Sequence, residues 1–185
     1  MPKVDRRILK TKVAINNAFI ELLSEKDFDK ITVNDISDRA DINRGTIYLH
    51  YADKFDLLDQ CIQNHLNKML DFCETVNNDQ ETFDVINSFL PVFLYFQENY
   101  LFYSLMLDKR VNSYFRNRLQ SVIIEGIKMY MNTNEINSEL DKEVLVQFMA
   151  SAFVGTVEWW IKNKMPQSPQ VMAQYMLILF VRNQC

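Results

Sequence analysis

The stretch from Ile42 to Lys54 reads INRGTIYLHYADK and holds one of only three glycines in the 185-residue chain. Gly45 stands near the start of what reads as a short helix, between an arginine and a threonine. Two tyrosines and a histidine follow within six residues. These side chains readily hydrogen-bond to phosphates and base edges. The stretch therefore indicates a short helix whose backbone approaches another molecule closely, with nucleic acid as a candidate.

The residues before this stretch predict two more helices. Apolar side chains recur at helical spacing from about Ile8 to Ser24, and Asp27 is a candidate for a left-handed cap after them. Thr32 is expected to cap a second helix, with Asp35 completing a capping box. After a four-residue turn, Asn43 is expected to cap the third helix, which runs to about residue 50. This pattern predicts a three-helix helix-turn-helix module.

The rest of the chain also reads as helical, with no strand pattern and no internal repeat. A long helix capped by Asp53 would run to about residue 77. Further helices are expected at about 81–98 with a kink at Pro91, at 101–107, at 111–131, from a cap at Asn137 or Ser138 to about 163, and from a cap at Ser168 to about 181. The predicted fold is all-α, with the module in residues 1–53 and a C-terminal helical domain in residues 54–185.

Composition limits the kind of protein this is. It is 48% hydrophobic and 24% charged, which suits a packed globular chain. Three widely spaced cysteines and two histidines predict reduced thiols, no metal site and no cofactor. The N-terminus lacks the apolar core of a signal peptide, and the longest apolar runs are far short of about 20 residues. We therefore expect a cytoplasmic protein without a membrane partner.

Charge is unevenly distributed. The net charge is −4, but residues 1–12 hold five basic side chains and one acidic side chain. Residues 13–60 hold five basic and ten acidic side chains. A basic arm ahead of a helix can hold a phosphate backbone, and it can equally be a solvated tail. Both interpretations stay open from the sequence.

The segment from Ala18 to Leu58 resembles the DNA-binding module of the TetR family of transcriptional regulators. Its specific part, GTIYLHYADKFDLL, follows the family pattern Gly-Thr-aliphatic-Tyr-x-x-aromatic-x-x-Lys-x-x-Leu. This strong match covers about a quarter of the chain. The segment ASAFVGTVEWWI, Ala150 to Ile161, is similar to the C-terminal domain of a subgroup that includes regulators of dihydroxyacetone kinase operons.

The resemblance implies a dimer that binds a palindromic site in double-stranded DNA. The residues that it assigns to DNA are Thr32, Asn43, Arg44, Gly45, Thr46, Tyr48, His50 and Lys54. Gly45 would let the recognition helix approach the DNA, while Ile47 and Tyr51 would pack in the core. The chain departs from the family at Leu49, where a Tyr, Arg or His is common. Asp27 and Asp41 stand where glycine is common.

The resemblance also implies dimerisation through the last two helices and an effector pocket in the C-terminal domain. Candidate interface residues are Ala152, Gly155, Tyr175, Ile178 and Leu179, although the small residues around Gly155 could instead pack within one chain. Candidate pocket residues are Phe89, Phe93, Phe96, Tyr103, Met106, Phe148 and Trp159, although such clusters are often plain core. Only Asp84 and Glu98 are charged in residues 83–107. A small, neutral or weakly polar effector is therefore expected, and a cation only if Glu98 faces inward.

Two functions follow as hypotheses. The first is a repressor that its effector releases from DNA. The second is an adaptor or co-activator that works through protein contacts and binds DNA weakly, which Leu49 and the acidic residues would suit. The sequence has no Gly-rich phosphate loop, nucleophile elbow or HExxH motif, so we do not expect an enzyme.

Overall fold

The computed structural model describes residues 6–77, 85–107, 112–130 and 140–182, and in these ranges the chain is helical with no strand. The elements are α1 (Arg6–Glu25), a 3₁₀ helix (Phe28–Lys30), α2 (Val33–Ala40), α3 (Arg44–Tyr48), α4 (Lys54–Asn77), α5 (Val85–Glu98), α6 (Tyr100–Met106), α7 (Asn112–Tyr130), α8 (Lys142–Lys162) and α9 (Pro169–Arg182). The prediction of an all-α fold with an N-terminal helix-turn-helix is confirmed.

The chain divides into two compact units, Met1–His65 and Leu66–Cys185. By sequence, α4 contributes to both of them. The functional boundary between residues 53 and 54 stays a prediction.

In the first unit, α1 packs on α2 and α2 packs on α3. The core holds apolar side chains from all four helices: Ile15, Phe19, Leu22, Ile36, Ile47, Leu57 and Ile62. Arg39 ties α2 to α1 through both carboxylate oxygens of Glu25, at 2.9 and 2.7 Å, and through Glu21 at 3.3 Å. The hydrogen bond from Arg39 lowers the pKa of Glu25. These ion pairs add to the apolar contacts between α1 and α2, and α2 in turn packs on α3.

The helix starts were predicted well in this unit. Thr32 and Asp35 form the expected capping box, and the Asn43 side chain caps α3. Asp53 caps α4 by accepting from two backbone amides, at 2.8 and 2.9 Å. The left-handed cap at Asp27 was wrong, because this residue has φ −57° and ψ 139° and opens the 3₁₀ helix. The left-handed residue is Asp41, with φ 52°, where the chain turns from α2 towards α3.

In the second unit, α5 packs on α9, and α8 contacts both α6 and α7. The cap of α8 was predicted wrongly. Its helix begins at Lys142, and the Asp141 carboxylate accepts from the amides of Glu143 and Val144 at 2.9 and 3.1 Å. Asn137 and Ser138 lie outside the described residues. The α5 helix contains Pro91, as expected, while the kink there stays a prediction.

One helix of the described ranges, α8, is long and apolar enough to cross a membrane by length and composition alone. Half of its most apolar window is buried within the structure, which is common for the core helix of a globular domain. This apolarity follows from its central place in the second unit.

Candidate nucleic-acid interface

The short helix α3 presents three rows of side chains on its outer side. Ile47 is buried, with 1% of its surface exposed, and it anchors the inner side. Residues four apart on a helix lie one above the other. The outer rows are therefore Arg44 with Tyr48, Gly45 with Leu49, and Thr46 with His50. The local sequence puts its single apolar anchor inward and leaves a mostly polar face exposed.

The two side chains of the first row contact each other. The Arg44 Nη2 donates to the Tyr48 hydroxyl at 2.9 Å. The Arg44 guanidinium carbon also lies 5.3 Å from the centre of the Tyr48 ring. Because a cation–π contact and a hydrogen bond both hold the guanidinium, less side-chain entropy is lost when it meets a phosphate or guanine.

Gly45 has an ordinary helical conformation, since the glycines have no positive φ. Its amide donates to the Asn43 Oδ1 at 2.7 Å. A Cβ at this position would lie 3.2 Å from that same oxygen. The absence of a side chain therefore protects the cap as well as leaving the helix surface open, and the sequence indicated only the second role.

The Thr32 side chain is occupied by its capping box. Its hydroxyl donates to the Asp35 Oδ2 at 2.7 Å and accepts from the Asp35 amide at 3.2 Å. Lys26 lies 2.9 Å from the other carboxylate oxygen, and hydrogen bonds from Lys26 and then Thr32 lower the pKa of Asp35 to about 2. A phosphate contact by the Thr32 hydroxyl stays a prediction, and it would compete with the cap.

Lys54 has partners that the sequence did not suggest. Its ammonium donates to the backbone carbonyls of Phe28, Asp29 and Ile31 at 3.0, 3.0 and 2.9 Å. It also lies 4.8 Å from the centre of the Phe28 ring. An ammonium has three donors, and all three are engaged here. A phosphate contact by Lys54 stays a prediction that requires one of these bonds to be given up.

Tyr51 packs in the core, as expected. It is 2% exposed, and its hydroxyl donates to the Asn16 Oδ1 at 3.4 Å. Burial raises the pKa of Tyr51 to about 12.

The basic arm is described from Arg6 onward, with Arg6, Arg7 and Lys10 exposed at the start of α1. Lys3 lies outside the described residues.

The predicted effector-pocket residues separate into two groups. Phe93, Phe96, Tyr103 and Met106 are buried together, and Phe89 packs on Phe153 with ring centres 6.0 Å apart. Phe148 and Trp159 are 58% and 49% exposed, so they do not join the buried rings, and their part in an effector pocket stays a prediction. They lie on the side of α8 that faces away from its buried residues. Trp160, which is fully buried, meets Phe93 edge-on at 5.2 Å instead.

The predicted dimer residues share an exposed face. Phe148, Ala152, Gly155 and Trp159 fall within an arc of about 60° on α8. On α9, Tyr175, Ile178 and Leu179 are 49%, 43% and 50% exposed. A Cβ on Gly155 would meet no described heavy atom within 4 Å, apart from its chain neighbours and its own helix backbone. Packing among the described residues therefore gives no reason for this glycine, and the dimer interface stays a prediction.

No group of three or more His, Cys, Asp or Glu side chains in the described ranges could hold a metal ion. Among the described residues, the outer face of α3 and the exposed apolar side chains of α8 and α9 are two surfaces suited to binding partners.

Both units of the chain match known protein families. Residues 15–61 match the family described as "Bacterial regulatory proteins, tetR family". Residues 84–182 match the family described as "Transcriptional regulator C-terminal region". Together these matches cover the helix-turn-helix and the helices that follow α4.

Curated relatives are transcriptional regulators. The chain is 30% identical over 167 residues to IcaR of Staphylococcus epidermidis, a negative regulator of the biofilm operon icaADBC, and the match covers 86% of each protein. It is 28% identical over 148 residues to DhaS of Lactococcus lactis, a dhaKLM operon activator, covering 77% of this chain and 74% of DhaS. It is 36% identical over 80 residues to YxbF of Bacillus subtilis. This match covers 43% of this chain and only 21% of YxbF, which is longer.

A solved TetR transcriptional regulator from Streptococcus agalactiae has the same fold. Its TM-score is 0.70 at 28% identity, and the match covers 95% of this chain and 96% of that one. The chain belongs to the TetR family of transcriptional regulators.

Proposed function

We propose that the protein is a repressor that binds a palindromic operator as a dimer and leaves it when a small apolar effector binds. The observation that supports DNA binding is the exposed outer face of α3. On this face the Arg44 guanidinium donates a hydrogen bond to the Tyr48 hydroxyl at 2.9 Å. Repression is favoured by the likeness to IcaR, which is named a negative regulator. The likeness to the activator DhaS keeps activation as the second mode. The protein would regulate transcription in the cytoplasm, which contains the operator.

The proposed DNA contacts follow the rows of α3. Arg44 and Thr46 would reach bases or phosphates, and Tyr48 and His50 would reach the sugar-phosphate backbone. Gly45 and Asn43 would shape the approach of the helix. Thr32 and Lys54 are weaker candidates than the sequence suggested, because their polar groups already have partners in the free protein.

The proposed dimer uses the apolar face of α8 and α9. Five large apolar side chains on this face are each more than 40% exposed: Phe148, Trp159, Tyr175, Ile178 and Leu179. Phe148 and Ala152 of α8 line one surface cavity together with Leu179 of α9, and exposed apolar surfaces of this kind often mark protein interfaces. A second copy that presents the same patch would cover it by two-fold symmetry, and Gly155 would let the two α8 helices approach closely.

The proposed effector site lies among the buried aromatic side chains of α5, α6 and α8. The Phe96 ring meets the rings of Phe93 and Tyr103 edge-on, with centres 6.2 and 4.7 Å apart. Glu98 is exposed, so it does not supply the inward charge that a cationic ligand would need. An apolar or weakly polar ligand therefore fits this part of the chain best.

The direct test is a gel-shift assay with DNA from upstream of the protein's own gene. The wild type should shift this fragment at low salt, and Arg44→Ala and Tyr48→Ala should each abolish the shift. Arg118→Ala, on α7 of the second unit, is the matched control and should bind as the wild type does. A wild type that shifts no fragment of its own locus would favour the adaptor function, for which the exposed Leu49 is the specific observation.

A further inference from the structure

Leu49 is the most exposed large apolar side chain of the described residues, with 79% of its surface accessible. It forms the C-terminal end of α3 and keeps a helical backbone, with φ −71° and ψ −19°. Its side chain therefore continues the periodicity of the helix. Leaving a leucine in water forgoes the free energy of burying it, about 25 cal/mol per Å² of apolar surface. A contact that covers Leu49 would recover this free energy.

Leu49 occupies the middle row of the outer face of α3. At about 100° per residue, Gly45 and Leu49 each lie about 160° around the helix from the buried Ile47. Since Gly45 has no side chain, Leu49 is the only side chain on this row. Polar rows flank it on both sides. The centre of the face is thus a single apolar contact point.

We propose that Leu49 reads the 5-methyl group of a thymine in the major groove, one in each half-site of the operator. This inference rests on the proposed DNA-binding function. The thymine methyl is the apolar group on the major-groove edge of the base pairs, and leucine can neither donate nor accept a hydrogen bond. The major groove is about 12 Å wide and admits an α-helix, and Leu49 lies only one turn along from Gly45 on the row that faces away from the core.

With this contact, each of the three rows of α3 contributes a different kind of interaction to DNA recognition. Arg44 with Tyr48 and Thr46 with His50 supply hydrogen bonds to phosphates, sugars and base edges. Leu49 supplies discrimination for thymine over cytosine and the purines at one position. A polar residue at 49 would instead reach a phosphate or accept from a base, so the leucine changes which sequence is preferred.

The test uses the full-length protein and an operator obtained by selection from random DNA. Each thymine of the operator is replaced singly by deoxyuridine, which removes only the 5-methyl group. We expect one thymine position in each half-site to respond to this replacement. A single replacement there should weaken binding about fourfold, which corresponds to about 0.8 kcal/mol at about 1.4 kcal/mol per tenfold change in affinity. Leu49→Ala should bind thymine and deoxyuridine operators equally at that position.

Two further variants sharpen the comparison. Leu49→Met keeps an apolar side chain of similar length and should retain the preference for the methyl group. Leu101→Ala removes a leucine that is 48% exposed in the second unit, and it should leave the preference at the wild-type value. Because Leu49 is 79% exposed, its replacement should leave the thermal unfolding midpoint unchanged.

The outcomes separate the inference from the function beneath it. If the wild type binds its selected operator but no deoxyuridine position responds to Leu49→Ala, Leu49 does not read a methyl group. If Leu49→Ala loses regulation in cells while its DNA binding and methyl preference match the wild type, Leu49 contacts a protein partner and the inference is wrong. If selection yields no bound DNA, the proposed function fails and the inference fails with it.

Discussion

At the scale of single residues, Lys54 shows how a motif position can serve the fold before it serves a ligand. Its ammonium joins the N-terminus of α4 to the 3₁₀ helix by three hydrogen bonds to backbone carbonyls. Those carbonyls lie 23 to 26 residues earlier in the chain. No pattern of spacing could have indicated them, because the partners are main-chain atoms of a turn whose geometry is set by tertiary packing.

We expect Lys54→Met to lower the free energy of unfolding by about 1–3 kcal/mol, since three carbonyls lose a charged donor. Urea denaturation measures this loss, and Lys54→Arg, which keeps the charge, is the control. The salt dependence of DNA binding tests the second role of Lys54. A Lys54→Met variant that binds DNA with an unchanged salt slope would remove Lys54 from the phosphate contacts, since each lost contact reduces the slope by about 1.

The lowered pKa of Asp35 predicts that the stability of the first unit depends on pH. Its pKa is lowered from 3.8 to about 2 by Lys26 first and then by Thr32. A carboxylate whose pKa is depressed in the folded state adds stability above its unfolded pKa. This contribution is lost as the pH falls through the folded pKa. The window in which Asp35 loses its contribution is therefore from about pH 4 down to about pH 2.

We expect Asp35→Asn to lower the melting temperature at pH 7 and to flatten its decline below pH 4. Thermal unfolding followed by circular dichroism from pH 7 to pH 2 measures both effects. Asp38→Asn, an exposed position on the same helix, is the matched control. If Asp35→Asn and wild type lose stability in parallel over the whole range, the capping box does not carry the acid dependence.

At the scale of helices, the sequence predicted the first residues of helices better than it predicted which side chains are buried. Thr32, Asn43 and Asp53 were identified as caps because a side chain that binds the next amides is a local event. The start of α8 at Asp141 was missed in a polar segment that holds several residues able to cap. Trp159 and Trp160 show the other limit. Both are large and apolar, and only the packing of α8 on its neighbours decides that Trp160 is buried and Trp159 is exposed.

Gly155 gives the prediction that belongs to α8. A Cβ there would meet no described heavy atom within 4 Å apart from its chain neighbours and its own helix backbone, and leucine favours the helix over glycine. We therefore expect Gly155→Leu to fold with full helical content and to run as a monomer, because a large side chain would hold the two α8 helices apart. Light scattering after size exclusion measures the mass.

Gly126→Leu on α7 is the matched control for this prediction. A Cβ on Gly126 also meets no heavy atom within 4 Å on the same criteria, so that variant should fold and stay dimeric. A well-folded Gly155→Leu dimer would place the interface elsewhere on the chain.

At the scale of the whole molecule, repression requires that the effector and the operator prefer different conformations. An effector that bound both conformations equally would shift nothing, however tight its binding. Ligand binding and operator binding must then oppose each other by the same factor in both directions. This reciprocity is measured by comparing the operator affinity with and without the effector, and the effector affinity with and without the operator.

The two tryptophans allow the effector to be observed directly. Trp160 is buried against Phe93, and its indole nitrogen donates to the Gln167 carbonyl at 3.0 Å. Trp159 is exposed on the proposed dimer face. We therefore expect Trp159→Phe, in which Trp160 is the only tryptophan, to keep a fluorescence change with an apolar effector. Trp160→Phe should lose it, and every compound that produces the change should also release the operator. Should only sugars, phosphates or metal ions do both, the apolar site among the buried rings is wrong.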